Sequence, residues 1–167
     1  MYWYFIYNKS NSSSSLIRFF NNEPNIVAFI PKIEQWYNVK GVKDYVIRDM
    51  YPGYIFIKSM LSENEFIKRY QDFFKSIENT AELVKQGNSF GLQKSVQEKY
   101  EQLFNDGETI KHSIGYIVGN DTIVLDGPLI GLEEYIKKID RHHRTALLDF
   151  KLNDFLLKVP LEIKSKS

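Results

Sequence analysis

Residues 121–149, DTIVLDGPLIGLEEYIKKIDRHHRTALLD, constrain this chain more than any other stretch. Strand-like residues at 122–125 run into Gly127-Pro128, a dipeptide that ends a strand and turns the backbone. Gly131 closes a second bend. A new strand then carries Lys137 and Lys138 into a tip reading Asp140-Arg141-His142-His143-Arg144, and a third leaves through Ala146 toward Leu152. Short strands with turn signals between them predict a small all-β unit. That unit gathers Lys137, Lys138, Arg141, His142, His143 and Arg144 at one loop, with Asp140 the only acid among them. An anionic partner suits such a loop, and nucleic acid is the first candidate.

The rest of the composition makes that cluster informative. The formal net charge is only +1, from 22 Lys/Arg against 21 Asp/Glu. This excludes a general polyelectrolyte binder, so any basic footprint is local. A length of 167 residues suits one ordinary domain or two small ones. Cysteine is absent, so neither a disulfide framework nor a thiolate metal site is available. The opening MYWYFIYNKS has a short apolar run without a basic leader, unlike a signal peptide. No run approaches the roughly 20 apolar residues of a membrane span. The expectation is a soluble, cytoplasmic, monomeric protein with no membrane partner.

Before residue 90 the patterns alternate. Residues 2–7 read as a buried strand and 26–35 as a strand interrupted by Pro31, which suggests an edge or a bulge. Leu16, Ile17 and Phe20 place a helix that starts within the serines of 12–15. Residues 36–40 and 42–48 fold back on each other at Gly41. Pro52-Gly53 is turn chemistry that feeds the apolar strand 54–58, expected to be central. Ser62 and Glu65 form a capping box ahead of Phe66, Ile67, Tyr70, Phe73, Phe74 and Ile77, an aromatic helical stripe. A short strand falls within 80–85 and a break within 86–91. A second helical stripe, Val96, Tyr100, Leu103 and Phe104, has Ser95 and Glu98 as its capping box. Residues 108–113 read as a polar connector. Two hairpins follow, turning at Gly119-Asn120 and at Asn153-Asp154.

Several of these residues carry a resemblance. Met50-Tyr51-Pro52-Gly53-Tyr54-Ile55 resembles the aromatic-Pro-Gly-Tyr segment of the NusG N-terminal domain, and Trp3-Tyr4 opens the chain as a Trp-Tyr pair does there. Asp126-Gly127-Pro128-Leu129-Ile130-Gly131 looks like the opening of a KOW domain. The chain as a whole is similar to NusG-type transcription elongation factors. Gly127-Pro128-Leu129 followed by Ile136-Lys137-Lys138-Ile139-Asp140-Arg141-His142 looks most like the LoaP-type antiterminators of that family. One departure is Glu134, which stands where a KOW loop commonly has glycine. Either that turn does not need positive φ, or the barrel is distorted at that corner.

The resemblance implies an α+β protein. It would hold a NusG-like N-terminal α/β sandwich (residues 1–90), a helical linker (91–115) and a small C-terminal KOW β-barrel (116–167). It further implies that the N-terminal domain binds the clamp helices of RNA polymerase, with Tyr51, Pro52 and Tyr54 as the nearest matching positions. Tyrosines beside a Pro-Gly turn make a rigid face that is apolar with a polar tip. Tyr54, which opens the apolar strand, is equally placed to be core. For the KOW part it implies a nascent RNA hairpin, met by Lys137, Lys138, Arg141, His142, His143 and Arg144, with DNA at the elongation complex as a further partner. Charge runs are usually just solvated. The density of this one in a near-neutral chain favours phosphate contact. The alternatives are a general NusG-like factor whose barrel binds a protein such as Rho or a ribosomal protein, an RNA-binding module without polymerase contact, and a purely structural domain.

Enzymatic chemistry finds no support. Ser12 to Ser15 lack a nucleophile elbow, Glu133 and Glu134 would face opposite ways on a strand, and no glycine loop fits a phosphate cradle. His142 and His143, adjacent on a strand, would also point apart and chelate poorly. No cofactor or metal is expected.

Overall fold

The computed structural model describes residues 1–10, 13–152 and 155–167. In chain order the elements are β1 (Tyr2–Asn8), α1 (Ser13–Asn21), β2 (Ile26–Phe29), β3 (Lys32–Val39), β4 (Val42–Asp49), β5 (Tyr54–Ser59) and α2 (Glu63–Ser76). They continue with β6 (Ala81–Leu83), α3 (Lys94–Leu103), β7 (Thr109–Ile110), β8 (Ser113–Val118), β9 (Asp121–Asp126), β10 (Ile136–Asp140), β11 (Thr145–Leu152) and β12 (Phe155–Lys166). They group into two compact units. One comprises Met1–Pro31 with Tyr51–Gln97, the other Lys32–Met50 with Glu98–Ser167. The β3–β4 hairpin therefore belongs to the same unit as the C-terminal strands, and the border near residue 97 falls within α3.

The first unit is a four-stranded sheet in the order β2-β5-β1-β6, with β5 central as its apolar sequence predicts. Alternation along β1 and β5 sends Tyr4, Ile6, Ile55 and Ile57 to one face, where they meet Leu16 and Phe20 of α1 and Phe66 and Tyr70 of α2. The Tyr4 ring stacks on Phe66 at 4.1 Å, and its hydroxyl donates to the Leu61 carbonyl at 2.7 Å. Burying such rings removes water from large apolar areas, and each contributes roughly 1.5–3 kcal/mol. The start of α2 follows the sequence: Ser62 is the N-cap, and its N–H donates to the Glu65 carboxylate at 3.0 Å. Glu63 accepts from the N–H groups of Phe90 and Gly91, tying the break before α3 to the first turn of α2.

The second unit holds two sheets, β4-β3-β7 and β10-β11-β12-β8-β9. The long β12 is the spine of the larger one, antiparallel to β11 and parallel to β8. Ala146, Leu148, Leu157, Val159 and Leu161 are fully buried along these strands.

Several expectations are corrected. Residues 26–35 are not one strand. Pro31 has no N–H to continue a ladder, and the chain leaves one sheet at β2 to enter another at β3. Ser95 does not cap α3, because the helix already begins at Lys94, with the Gln93 carbonyl accepting the Gln97 N–H at 2.9 Å. The connector at 108–113 contains β7, parallel to β3, and its Ile110 is fully buried. Glu133 and Glu134 sit on a 3-10 turn, Glu133–Tyr135, rather than a strand. Glu134 is not among the positive-φ residues, so that corner needs no glycine. No closed barrel forms among the described residues: β9 and β10 remain the two edges of the five-stranded sheet. Closure needs edges that meet in matched register. The β8–β9 and β10–β11 ladders have register shifts at Ile114/Gly115 and Ile136/Lys138, and lysines on the β10 edge disfavour a further pairing. The Asn153-Asp154 turn, and Ser12 at the predicted start of the first helix, lie outside the described residues.

Phe66→Ala removes the ring that Tyr4 stacks on and leaves a cavity between α2 and the sheet. A loss of about 3–5 kcal/mol is expected, read as a lower denaturant midpoint.

Candidate functional site

Two surfaces and one supporting cluster hold the residues singled out above. The first surface is the turn entering β5. The Tyr54 N–H donates to the Tyr51 carbonyl at 3.2 Å across Pro52-Gly53, and Gly53 has φ 86°. The Asn8 N–H donates to the Gly53 carbonyl at 2.7 Å, pulling the turn against β1. A Cβ on Gly53 would come within 3.0 Å of both the Asn8 carbonyl oxygen and the Tyr7 ring. Glycine is thus required by conformation and by close approach. The turn sets three tyrosines side by side: Tyr51 and Tyr54 at 6.1 Å edge to face, and Tyr54 and Tyr7 at 5.3 Å. Tyr51 and Tyr54 are half-buried, and Pro52 is exposed. Burial, followed by the neighbouring Tyr54, pushes the Tyr51 hydroxyl up to about 12, so it stays a neutral donor at physiological pH. The same face of the sheet continues into Phe5 and Phe56, at 4.5 Å, and Trp3, 6.2 Å from Phe56.

The second surface is the tip between β10 and β11. Lys137, Lys138, Arg141, His142 and His143 are all exposed there, as their sequence positions predict. His142 and His143 lie in the turn rather than on a strand, with their rings 4.8 Å apart. The lone acid has a structural job. One Asp140 oxygen accepts the His143 N–H at 3.0 Å, and the other meets the His143 ring at 2.8 Å. The backbone N–H of His143, and then its ring, hold the Asp140 carboxyl below its usual value. Asp140 therefore braces the turn.

Arg144 differs from its neighbours. It adopts φ 52° and turns back into the unit, where its guanidinium lies 3.6 Å over the Trp36 ring. It also pairs with Glu162 at 3.1 Å and donates to the Tyr45 hydroxyl at 3.3 Å. Glu162 receives Lys164 as well, at 2.9 Å. Burial alone would raise the Glu162 pKa, but Lys164 and Arg144 outweigh it and hold the carboxyl below its usual range. Tyr45 stacks on His112 at 3.9 Å, and the His112 ring meets Glu34 at 2.7 Å. Sequence reading missed this cluster. Its one legible signal is the two-residue turn at Lys40-Gly41, which sets Trp36 directly opposite Tyr45.

The two surfaces are thus a turn-mounted tyrosine face on the first unit and a cationic tip on the second. The model of the family described as NusG, transcription termination factor nusG, matches residues 1–99, more than half of the chain, and the chain belongs to that family. NusG proteins are non-enzymatic transcription factors that generally bind RNA polymerase. A search of curated proteins finds no match. No helix among the described residues is long and apolar enough to cross a membrane.

Replacing Glu162 with Gln strips Arg144 and Lys164 of a charged partner. A loss of about 1–3 kcal/mol is expected near neutral pH, read from urea midpoints. The folded-state pKa of Glu162 is depressed, so its contribution is present above the unfolded value and is lost as pH falls through the folded one. The gap between wild type and E162Q should accordingly narrow on acidification.

Proposed function

We propose that this NusG-family protein is a specialised elongation factor of the LoaP type, which suppresses pausing and termination while held to the polymerase and to the transcript. The first unit rides on the clamp helices of RNA polymerase through Tyr51, Pro52 and Tyr54. The second serves as the KOW-like part and grips a nascent RNA hairpin through its tip, with DNA at the elongation complex as a further contact. The observation that carries this reading is the exposed Lys137, Lys138, Arg141 and His142 on a braced turn, in a chain whose family match places it with polymerase-binding factors. The reading assigns direct RNA contact to those four. It gives Arg144 a positioning role, because Trp36, Tyr45 and Glu162 already hold it. Two weak attachments joined in one chain raise each other's effective concentration, which suits a processive factor better than one tight site.

A second reading has its own support. Strand β9 is a sheet edge on which Ile123 and Leu125 are 38% and 60% exposed, a surface suited to a protein partner. In that case the protein is a general NusG-like factor whose second unit binds Rho or a ribosomal protein.

Tyr51→Ala with Tyr54→Ala should weaken capture by core polymerase about tenfold or more while leaving RNA affinity unchanged. Lys137→Ala with Lys138→Ala and Arg141→Ala should do the reverse, and should flatten the salt dependence of binding to a leader hairpin. Equal, weak hairpin binding by wild type and that triple variant would select the second reading.

A further inference from the structure

We infer that the open side of the five-stranded sheet is a binding slot for the phosphodiester backbone of a single RNA strand, with Lys166 as a contact that the tip alone does not supply. The inference rests on the reading that this unit meets RNA. Strands β9 and β10 are the two unpaired edges of the sheet, and a cavity of about 500 Å³ lies between the β8–β9 turn and β10. Lys137, Lys138 and Arg141 line one wall and Asn120 and Thr122 the other, with Lys166 joining them from the end of β12. No acidic side chain lines it among the described residues. These four cations have no carboxylate partner there either, whereas Lys9, Lys32, Lys111, Lys164 and Arg144 all do.

Lys166 is held in place. The Ser167 N–H donates to the Ile117 carbonyl at 3.0 Å, and the Gly119 N–H donates to a terminal oxygen of Ser167 at 2.9 Å. Lys166 itself registers with Ile117. Charged donors beside an amide and a hydroxyl are the mixture that phosphate oxygens accept from. The volume lies within the ~300–1,000 Å³ that encloses small-molecule-sized groups, so one nucleotide of a strand fits within it. No aromatic ring lines the slot, so bases are not gripped by stacking and the strand is held without regard to sequence.

The test is fluorescence anisotropy of the full chain with short labelled oligouridylate, oligoadenylate and an RNA duplex, between ~50 and ~200 mM salt. Lys166→Ala is compared with the Lys137, Lys138 and Arg141 triple Ala variant and with Lys68→Ala on α2 as a control. Thermal melts confirm that each is folded. Lys166→Ala is expected to weaken both single strands alike, to make the salt slope shallower by about 0.7, and to leave the duplex unchanged, with Lys166→Arg restoring affinity. If Lys166→Ala binds as wild type does while the triple variant loses RNA, the slot is overturned and the tip reading stands. Equal loss for strand and duplex overturns the single-strand assignment. No RNA binding by the wild type overturns both.

Discussion

Arg144 joins three parts of the second unit, the β10–β11 turn, the β3–β4 hairpin and β12. Its backbone stands in the left-handed region, which is uncommon for a residue with a Cβ. The compensation is local and strong. A guanidinium stacked on Trp36 and paired with a largely buried carboxylate gains from a face and an edge at once, which a lysine in the same place could not do. Through it the β10–β11 turn, the β3–β4 hairpin and the β12 spine are fixed to one another. With the turn so anchored at one end and braced by Asp140 at the other, Arg141 and His142 project from a rigid loop rather than a loose one.

Local chemistry was legible in the sequence wherever a residue's role is decided by its near neighbours. The Pro52-Gly53 turn, the Ser62 cap and the aromatic stripe of α2 all follow from spacing, and each is present. The exposure of Lys137, Lys138 and Arg141 was equally readable, because a strand entering a charged turn has little choice. What escaped depends on partners distant in the chain. Ile110 looked like part of a polar connector until pairing with β3 buried it. Arg144 looked like one more phosphate ligand, since nothing in its own segment announces Trp36 or Glu162. Lys166 lacked any local pattern, and only the parallel pairing of β12 with β8 carries it to the slot. The closed barrel was the largest overreach. Turn spacing indicates how many strands there are, but closure depends on whether the last two edges meet, and among the described residues β9 and β10 stay unpaired.

A near-neutral chain makes a cationic surface by distributing partners unevenly. Lys32 is tied to Glu108 and Lys111 to Asp106. Asp140 is engaged with its own turn, and Glu162 with Arg144 and Lys164. Lys137, Lys138, Arg141 and Lys166 line one cavity with no acidic side chain among the described residues, and make a field local to β10 and the end of β12. Its reach is about a Debye length, roughly 8 Å at physiological salt, so it draws in a phosphate already close by and does not sweep up nucleic acid at large. On the proposed reading, in which the polymerase delivers the factor to the transcript, that short range suffices, because affinity is needed only once the RNA is at hand.

The tyrosine face of the first unit meets the same requirement by different means. Burial raises the Tyr51 pKa further above the physiological range, and the geometry of the face is set by a glycine that no other residue could replace without pushing on Tyr7 and Asn8. Rigid aromatic surface loses little entropy on docking and is insensitive to salt, whereas the cationic tip depends on salt strongly. On the proposed reading, one chain offers an attachment that ionic conditions barely touch and another that they tune. If both are engaged on one elongation complex, raising salt should release the RNA end first while the polymerase end keeps hold, so the salt response of the whole factor reports on its second unit alone.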